Sequence, residues 1–198
     1  MTAEIQEIRA SLEAFLEAPN DQPRTPDLFH YYSSAIYGLE LEHIWKKEWI
    51  AVGHMAWLKR PGDYFAWEIM DEPILFVLGE DNTVRGLSSI CRHRYVPVTE
   101  DGERGCKKFF KCPYHQWSYD LDGKLRGAPF MKDNKAFNPT QISLPEFRVE
   151  VWNGIIFVNF DDNAAPLAPR LEGIAEEFRY CDREDLAPRP IWDCTWDV

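Results

Sequence analysis

Two short segments carry the residues with chemistry to offer: Cys91-Arg92-His93, then eighteen residues, then Cys112-Pro113-Tyr114-His115. Each segment supplies one thiol and one imidazole. Two soft sulfurs suit one iron and two ring nitrogens suit another, so the pattern fits a two-iron, two-sulfide cluster cradled by paired loops. Exchanging two thiolates for two neutral imidazoles makes such a cluster less negative, and it then accepts an electron more readily than an all-cysteine one. The alternative occupant is zinc, which four ligands of this kind hold as a tetrahedron. Zinc fingers present their cysteines together and their histidines together, whereas here Cys and His alternate.

The elements around these loops are mostly β. From Trp49 onward, WIAVGH, YFAWEI, ILFVL and TVRGLSSI are short runs rich in β-branched and aromatic residues. Turn signals separate them at Arg60-Pro61-Gly62-Asp63, Glu72-Pro73 and Glu80-Asp81-Asn82. Asp122-Gly123 predicts a tight hairpin after Trp117–Leu121, and Asn153-Gly154 predicts another between FRVEVW and GIIFVNF. Before the β region, Ile5, Ile8, Leu12, Phe15 and Leu16 recur at helical spacing within residues 4–18, and Pro23 and Pro26 break the pattern. Ser33 or Ser34 caps a second helix, whose predicted buried stripe is Ile36, Leu39, Ile44 and Trp45. Residues 168–180 read as helical and the terminal WDCTWDV as a strand.

The chain has 198 residues, 45% hydrophobic and 14% aromatic, enough for one sizeable core or one domain and part of another. No apolar run approaches bilayer length, and the acidic N-terminus lacks the shape of a signal peptide. The five cysteines are an odd number for a disulfide framework. Together these features predict a cytoplasmic protein with no membrane partner. A net charge of −11 argues against nucleic acid. The charge is uneven: residues 91–126 hold eight Lys/Arg against five Asp/Glu, a local +3 on a remainder of −14. Such an island reads either as a solvated loop or as a docking surface for an acidic partner.

The stretch CRHR…CPYHQWSYDLDGKL resembles the Rieske domain of the α subunits of ring-hydroxylating oxygenases, the Rieske non-haem iron oxygenases. The likeness runs from about Tyr32 to Phe160 and takes in Trp45–Trp49, Pro61-Gly62-Asp63-Tyr64, Glu72-Pro73 and WNGIIFVNF. It implies a mainly β protein: N-terminal helices over 1–48, an antiparallel β-sandwich Rieske [2Fe–2S] domain over 49–160, and a connector with the start of a truncated α+β catalytic domain over 161–198. The resemblance makes Cys91 and Cys112 ligands of the inner iron, and His93 and His115 ligands of the outer iron. It further implies electrons delivered by a ferredoxin or flavin reductase, a homo-oligomer for the complete subunit, and a mononuclear Fe(II) that hydroxylates an aromatic or related substrate with O2.

That second iron belongs to the family's C-terminal half, so no catalytic residue is expected within this chain. His30, His43 and His54, with Glu40, Glu42 and Glu48 nearby in sequence, read as isolated residues rather than a triad. The alternative to an oxygenase portion is a stand-alone Rieske carrier, although such carriers are shorter.

Several positions refine the resemblance. Respiratory Rieske proteins add a disulfide between the two loops and a serine two residues after the second histidine; here Tyr114 and Trp117 stand there. Fewer hydrogen bonds to sulfur imply a potential near the low end of the Rieske range of about −150 to +300 mV. The gap between the loops is one residue longer than usual, and Tyr95 and Gln116 replace small residues or glycine. Cys106 reads as a packed or surface thiol. Arg92, Arg94, Lys107, Lys108 and Lys111 are the candidate docking cations for an electron donor.

Overall fold

The computed structural model describes residues 3–17, 19, 24–131 and 133–180. A boundary between Lys47 and Glu48 divides it into two compact units. The predicted strand WDCTWDV lies outside the described residues, as do Cys181 and Cys194.

The first unit is helical. Helix α1 spans Ala3–Glu17, with Ile8 as its buried residue. Helix α2 spans Ser34–Glu40, and Ser33 is its cap: the hydroxyl accepts the Ile36 N–H at 3.4 Å. This satisfies one of the donors a helix start leaves open. At Leu41–Trp45 the chain winds into a π turn. That wider turn shifts the phase of the stripe, so Ile36 is buried as expected but Ile44 and Trp45 are about half exposed, at 49% and 47%.

The second unit is the β-sandwich. Among the described residues ten strands form it: β1 Ile50–His54, β2 Asp63–Ile69, β3 Glu72–Leu78, β4 Val84–Ser88, β5 Arg104–Cys106, β6 Phe110–Lys111, β7 Ser118–Tyr119, β8 Leu125–Gly127, β9 Glu146–Trp152 and β10 Ile155–Asn159. Seven make one sheet in the order β1-β10-β9-β4-β3-β2-β5, and β6-β7-β8 make a small second sheet. Every pairing is antiparallel.

The strand β3 explains its own sequence. Leu75 and Val77 point into a cluster shared with Cys91, Phe110, Cys112, Trp117 and Tyr119, while Ile74, Phe76 and Leu78 point into another with Leu58, Phe65, Ile156 and Val158. A strand buried on both faces loses the polar alternation of a half-exposed one, which is why ILFVL is continuous. Each such side chain contributes about 1.5–3 kcal/mol by leaving water.

The turns follow backbone sterics. Asn153 and Gly154 both take positive φ, 51° and 80°, as a two-residue hairpin demands. A Cβ at Gly154 would lie 2.6 Å from His54 Nε2, so glycine is also required by space. The β2–β3 turn falls at Met70-Asp71, φ 53° and 62°, not at the expected Glu72-Pro73. Pro73 instead opens β3, where its missing N–H is tolerated and its carbonyl accepts Ser89 N–H at 2.7 Å. Residues 168–180 form short turns, Ala168–Leu171, Glu172–Ala175 and Glu177–Tyr180, rather than one helix.

Candidate iron–sulfur site

The two chemically loaded segments fold into two loops closed by the same pair of backbone bonds. Cys91 N–H donates to Val96 O at 3.0 Å and Tyr95 N–H returns to Cys91 O at 3.0 Å. Cys112 N–H donates to Trp117 O at 2.8 Å and Gln116 N–H returns to Cys112 O at 3.1 Å. Tyr95 and Gln116 hold equivalent places and both take left-handed φ, 56° and 62°. Both positions thus hold a left-handed backbone without glycine. The register differs at one point: histidine stands two residues after the cysteine in the first loop and three after it in the second.

The loops bring all four predicted residues together as two pairs. Cys91 and Cys112 are buried, at 1% and 2% exposure, and both thiols are free. Burial, together with the neighbouring Cys91, pushes the Cys112 thiol up, while the N–H groups of Tyr114 and His115 pull against it. The His93 and His115 rings meet at 4.8 Å between centroids, tilted 70°. Burial first, then the His115 ring and Arg94, holds His93 below the ordinary imidazole range and so neutral. His115 Nδ1 is buried with no hydrogen-bond partner. Leaving such an atom unsatisfied costs about 1–3 kcal/mol, a cost that metal ligation removes.

This donor set fits a diiron–disulfide group. Among the described residues no three His, Cys, Asp or Glu side chains gather closely enough to hold a single metal ion. Two buried thiols and two half-buried imidazoles suit a group with two metal centres.

Two further residues shape the site, and sequence spacing did not single out either role. Tyr119, fully buried on β7, has its hydroxyl 2.9 Å from Arg92 N–H, which donates to it, and 3.2 Å from Cys91 Sγ. With its acceptor side taken by Arg92, the hydroxyl is placed to donate to the sulfur. Burial, then Cys91 itself, raises the phenol well above its usual range, so it keeps its proton. Trp117 stacks on the His93 ring at 4.8 Å and 7°, and Phe137 braces the indole edge-on at 5.5 Å.

The other histidines take separate structural places. His30 bonds the Ser11 hydroxyl at 2.9 Å, and His43 is exposed in the π turn. His54 is buried and accepts Ala56 N–H at 3.1 Å. Glu42 pairs with Lys46 and Glu48 with Arg170. Cys106 is exposed on β5, its thiol 3.8 Å from Pro61 O, and so is a surface thiol rather than a packed one. No described helix is long and apolar enough to cross a membrane.

Residues 48–148 match the family model for the Rieske [2Fe–2S] domain. The chain is 33% identical over 164 residues to the carnitine monooxygenase oxygenase subunit of Acinetobacter baumannii, covering 83% of this chain and 44% of that one. It is 33% identical over 138 residues to the benzene 1,2-dioxygenase subunit alpha of Pseudomonas putida, covering 69% and 30%. Among solved structures, the apo form of a quaternary ammonium Rieske monooxygenase superposes with a TM-score of 0.70 at 32% identity, over 76% of this chain and 43% of that one. Naphthalene 1,2-dioxygenase from Rhodococcus sp. superposes with a TM-score of 0.77 at 27% identity, over 85% and 38%. A fold and site of this kind define an iron–sulfur electron-transfer domain. The chain belongs to the Rieske [2Fe–2S] domain family, and these relatives are Rieske oxygenases. It spans less than half the length of each of them.

Proposed function

We propose that Cys91, His93, Cys112 and His115 hold a Rieske [2Fe–2S] cluster and that the chain is the electron-transfer portion of an oxygenase α subunit. The observation that carries this reading is the pair of equivalent loops, which set two free buried thiols beside two imidazoles 4.8 Å apart. When bound, the cluster supplies a site that takes up and releases one electron at a time. The protein's part is to bury the sulfur side and hold His93 against Trp117. His115 Nδ1 is the nitrogen placed to ligate, which leaves Nε2 as the outward one.

In this reading residues 49–160 are the cluster domain and 161–198 lead toward the oxygen-activating half. A ferredoxin or flavin reductase in the cytoplasm supplies the electrons. They pass to a mononuclear Fe(II), commonly on a neighbouring copy in a homo-oligomer, where an organic substrate is hydroxylated with O2. The relatives are named for carnitine and for benzene, so both a quaternary ammonium and an aromatic ring fall within the substrate class.

Metal and sulfide analysis tests the cluster. The purified chain should be brown and contain two iron and two acid-labile sulfide per chain. A colourless chain holding one zinc would overturn the reading.

A further inference from the structure

The segment Asp161-Asp162-Asn163-Ala164-Ala165-Pro166-Leu167 has the small, polar composition of a free linker. It is nevertheless fastened along its length to the strands before it. Asn159, 1% exposed, starts the turn by accepting Asp161 N–H at 2.8 Å. Arg148 then donates to the carbonyl of Asp162 at 3.2 Å and to that of Ala164. Trp49 Nε1 donates to Ala165 O at 2.9 Å, and Glu150 accepts Leu167 N–H at 2.9 Å. Leu167 itself is buried.

Three side chains make this grip, and each suits its place. Arg148 and Glu150 lie two apart on β9, so both rise from the face opposite Phe147 and Val149, which pack against the core. The guanidinium's fork of donors reaches two carbonyls at once, and it sits between the Trp49 ring at 5.7 Å and the Glu150 carboxylate at 3.6 Å. Four backbone groups of an irregular segment are thereby satisfied by side chains rather than by secondary structure. The Arg170–Glu48 pair further on is half exposed and contributes little. Left unfastened, seven residues of flexible chain would wander over about 15 Å end to end.

Building on the reading above, in which residues 161–198 lead from the cluster domain toward the oxygen-activating half, we infer that Arg148, Glu150 and Trp49 are positioning residues that clasp residues 161–167 as a strap. The clasp holds the chain at one distance and direction from the cluster loops as it leaves the β-sandwich. An electron leaving the cluster then crosses a gap set by the fold and not by a swinging linker.

The test uses the full chain with its cluster, carrying Cys106→Ser, Cys181→Ser and Cys194→Ser, and a nitroxide attached through Gly173→Cys, where an added Cβ meets nothing within 4 Å. Pulsed dipolar EPR between the nitroxide and the reduced cluster should give one narrow distance distribution in this parent. Arg148→Met/Glu150→Leu should about double its width, with the cluster's own EPR spectrum unchanged, and the Leu167 amide should exchange its hydrogen about tenfold faster. Glu150→Gln, whose amide oxygen still accepts Leu167 N–H, should match the parent in both readouts. A broad distribution in the parent, or a parent-like width in the double variant, overturns the positioning role. A chain that binds no cluster overturns instead the reading on which that role rests, and Leu167 exchange, which needs no cluster, still decides whether the clasp exists.

Discussion

The indole of Trp117 lies face to face with the imidazole of His93, 4.8 Å apart and 7° from parallel. The indole is 4% exposed and braced by Phe137, so it is a fixed wall. Against the His115 ring lie the His93 ring at 4.8 Å and the half-exposed Tyr114 ring at 3.8 Å. The face-to-face stack on a buried indole is thus made by His93. Trp117→Leu should broaden the g-anisotropy of the reduced cluster's EPR spectrum, while Trp117→Phe, which keeps a stacked ring, should stay near the parent. A sharp, parent-like spectrum from the leucine variant would show that the stack only fills space.

Tyr119 is placed to donate to Cys91 Sγ at 3.2 Å. A hydrogen bond to sulfur favours the more negative, reduced cluster and raises its potential. Tyr119→Phe should lower the midpoint by about 60 mV, one tenfold step in a one-electron equilibrium. The parent midpoint should itself lie below zero, because Trp117 provides no hydroxyl at the position where respiratory proteins place serine. An unchanged midpoint in the phenylalanine variant would remove Tyr119 from the account.

Glu103 accepts hydrogen bonds from the Tyr64 hydroxyl, Lys107 Nζ and Glu100 N–H. Desolvation pushes its carboxyl up, but these three partners outweigh it and hold it below the ordinary carboxylate range. A depressed folded value contributes stability that is present above the unfolded value of about 4.3 and is lost as pH falls through the folded one. Glu103→Gln should therefore cost about 1 kcal/mol at pH 7, with the gap to the parent closing below about pH 4. Urea unfolding at both pH values checks this; a gap that persists in acid would show that charge is not its source.

Much of this site was legible because its residues are close in sequence. The Cys/His pairs lie within single loops, and Asn153-Gly154 and Asp122-Gly123 are turns whose backbone demand is local. Tyr119 reaches Cys91 from twenty-eight positions away, a tertiary contact that local spacing does not signal. The Trp117–His93 stack has the same origin. The β2–β3 turn was misplaced because Met70 gives no signal for positive φ, while Glu72-Pro73 resembles a turn and is a strand start. The π turn at Leu41–Trp45 left no mark in the apolar spacing, and it carried Ile44 and Trp45 outward. Charge runs were readable, but their pairing was not: Lys107 is taken by Glu103.

Gln116 takes left-handed φ of 62° without being glycine, partly compensated by its Nε2 donating to Pro113 O at 3.2 Å. That conformation costs about 1–2 kcal/mol for a residue with a Cβ, partly offset in glycine by greater unfolded-state freedom. Gln116→Gly should raise Tm by about 2 °C and Gln116→Val should lower it by more. Both shifts are read by thermal unfolding of the cluster-loaded chain. Equal melting of all three would mean the loop relaxes freely.

Pulsed EPR on the reduced chain tests the account's central claim, that His93 and His115 hold the cluster, most directly. Two strongly coupled histidine nitrogens should appear, and one should vanish in each of His93→Cys and His115→Cys. A cluster that shows no histidine nitrogen coupling, or that keeps both couplings in either variant, would contradict the assignment.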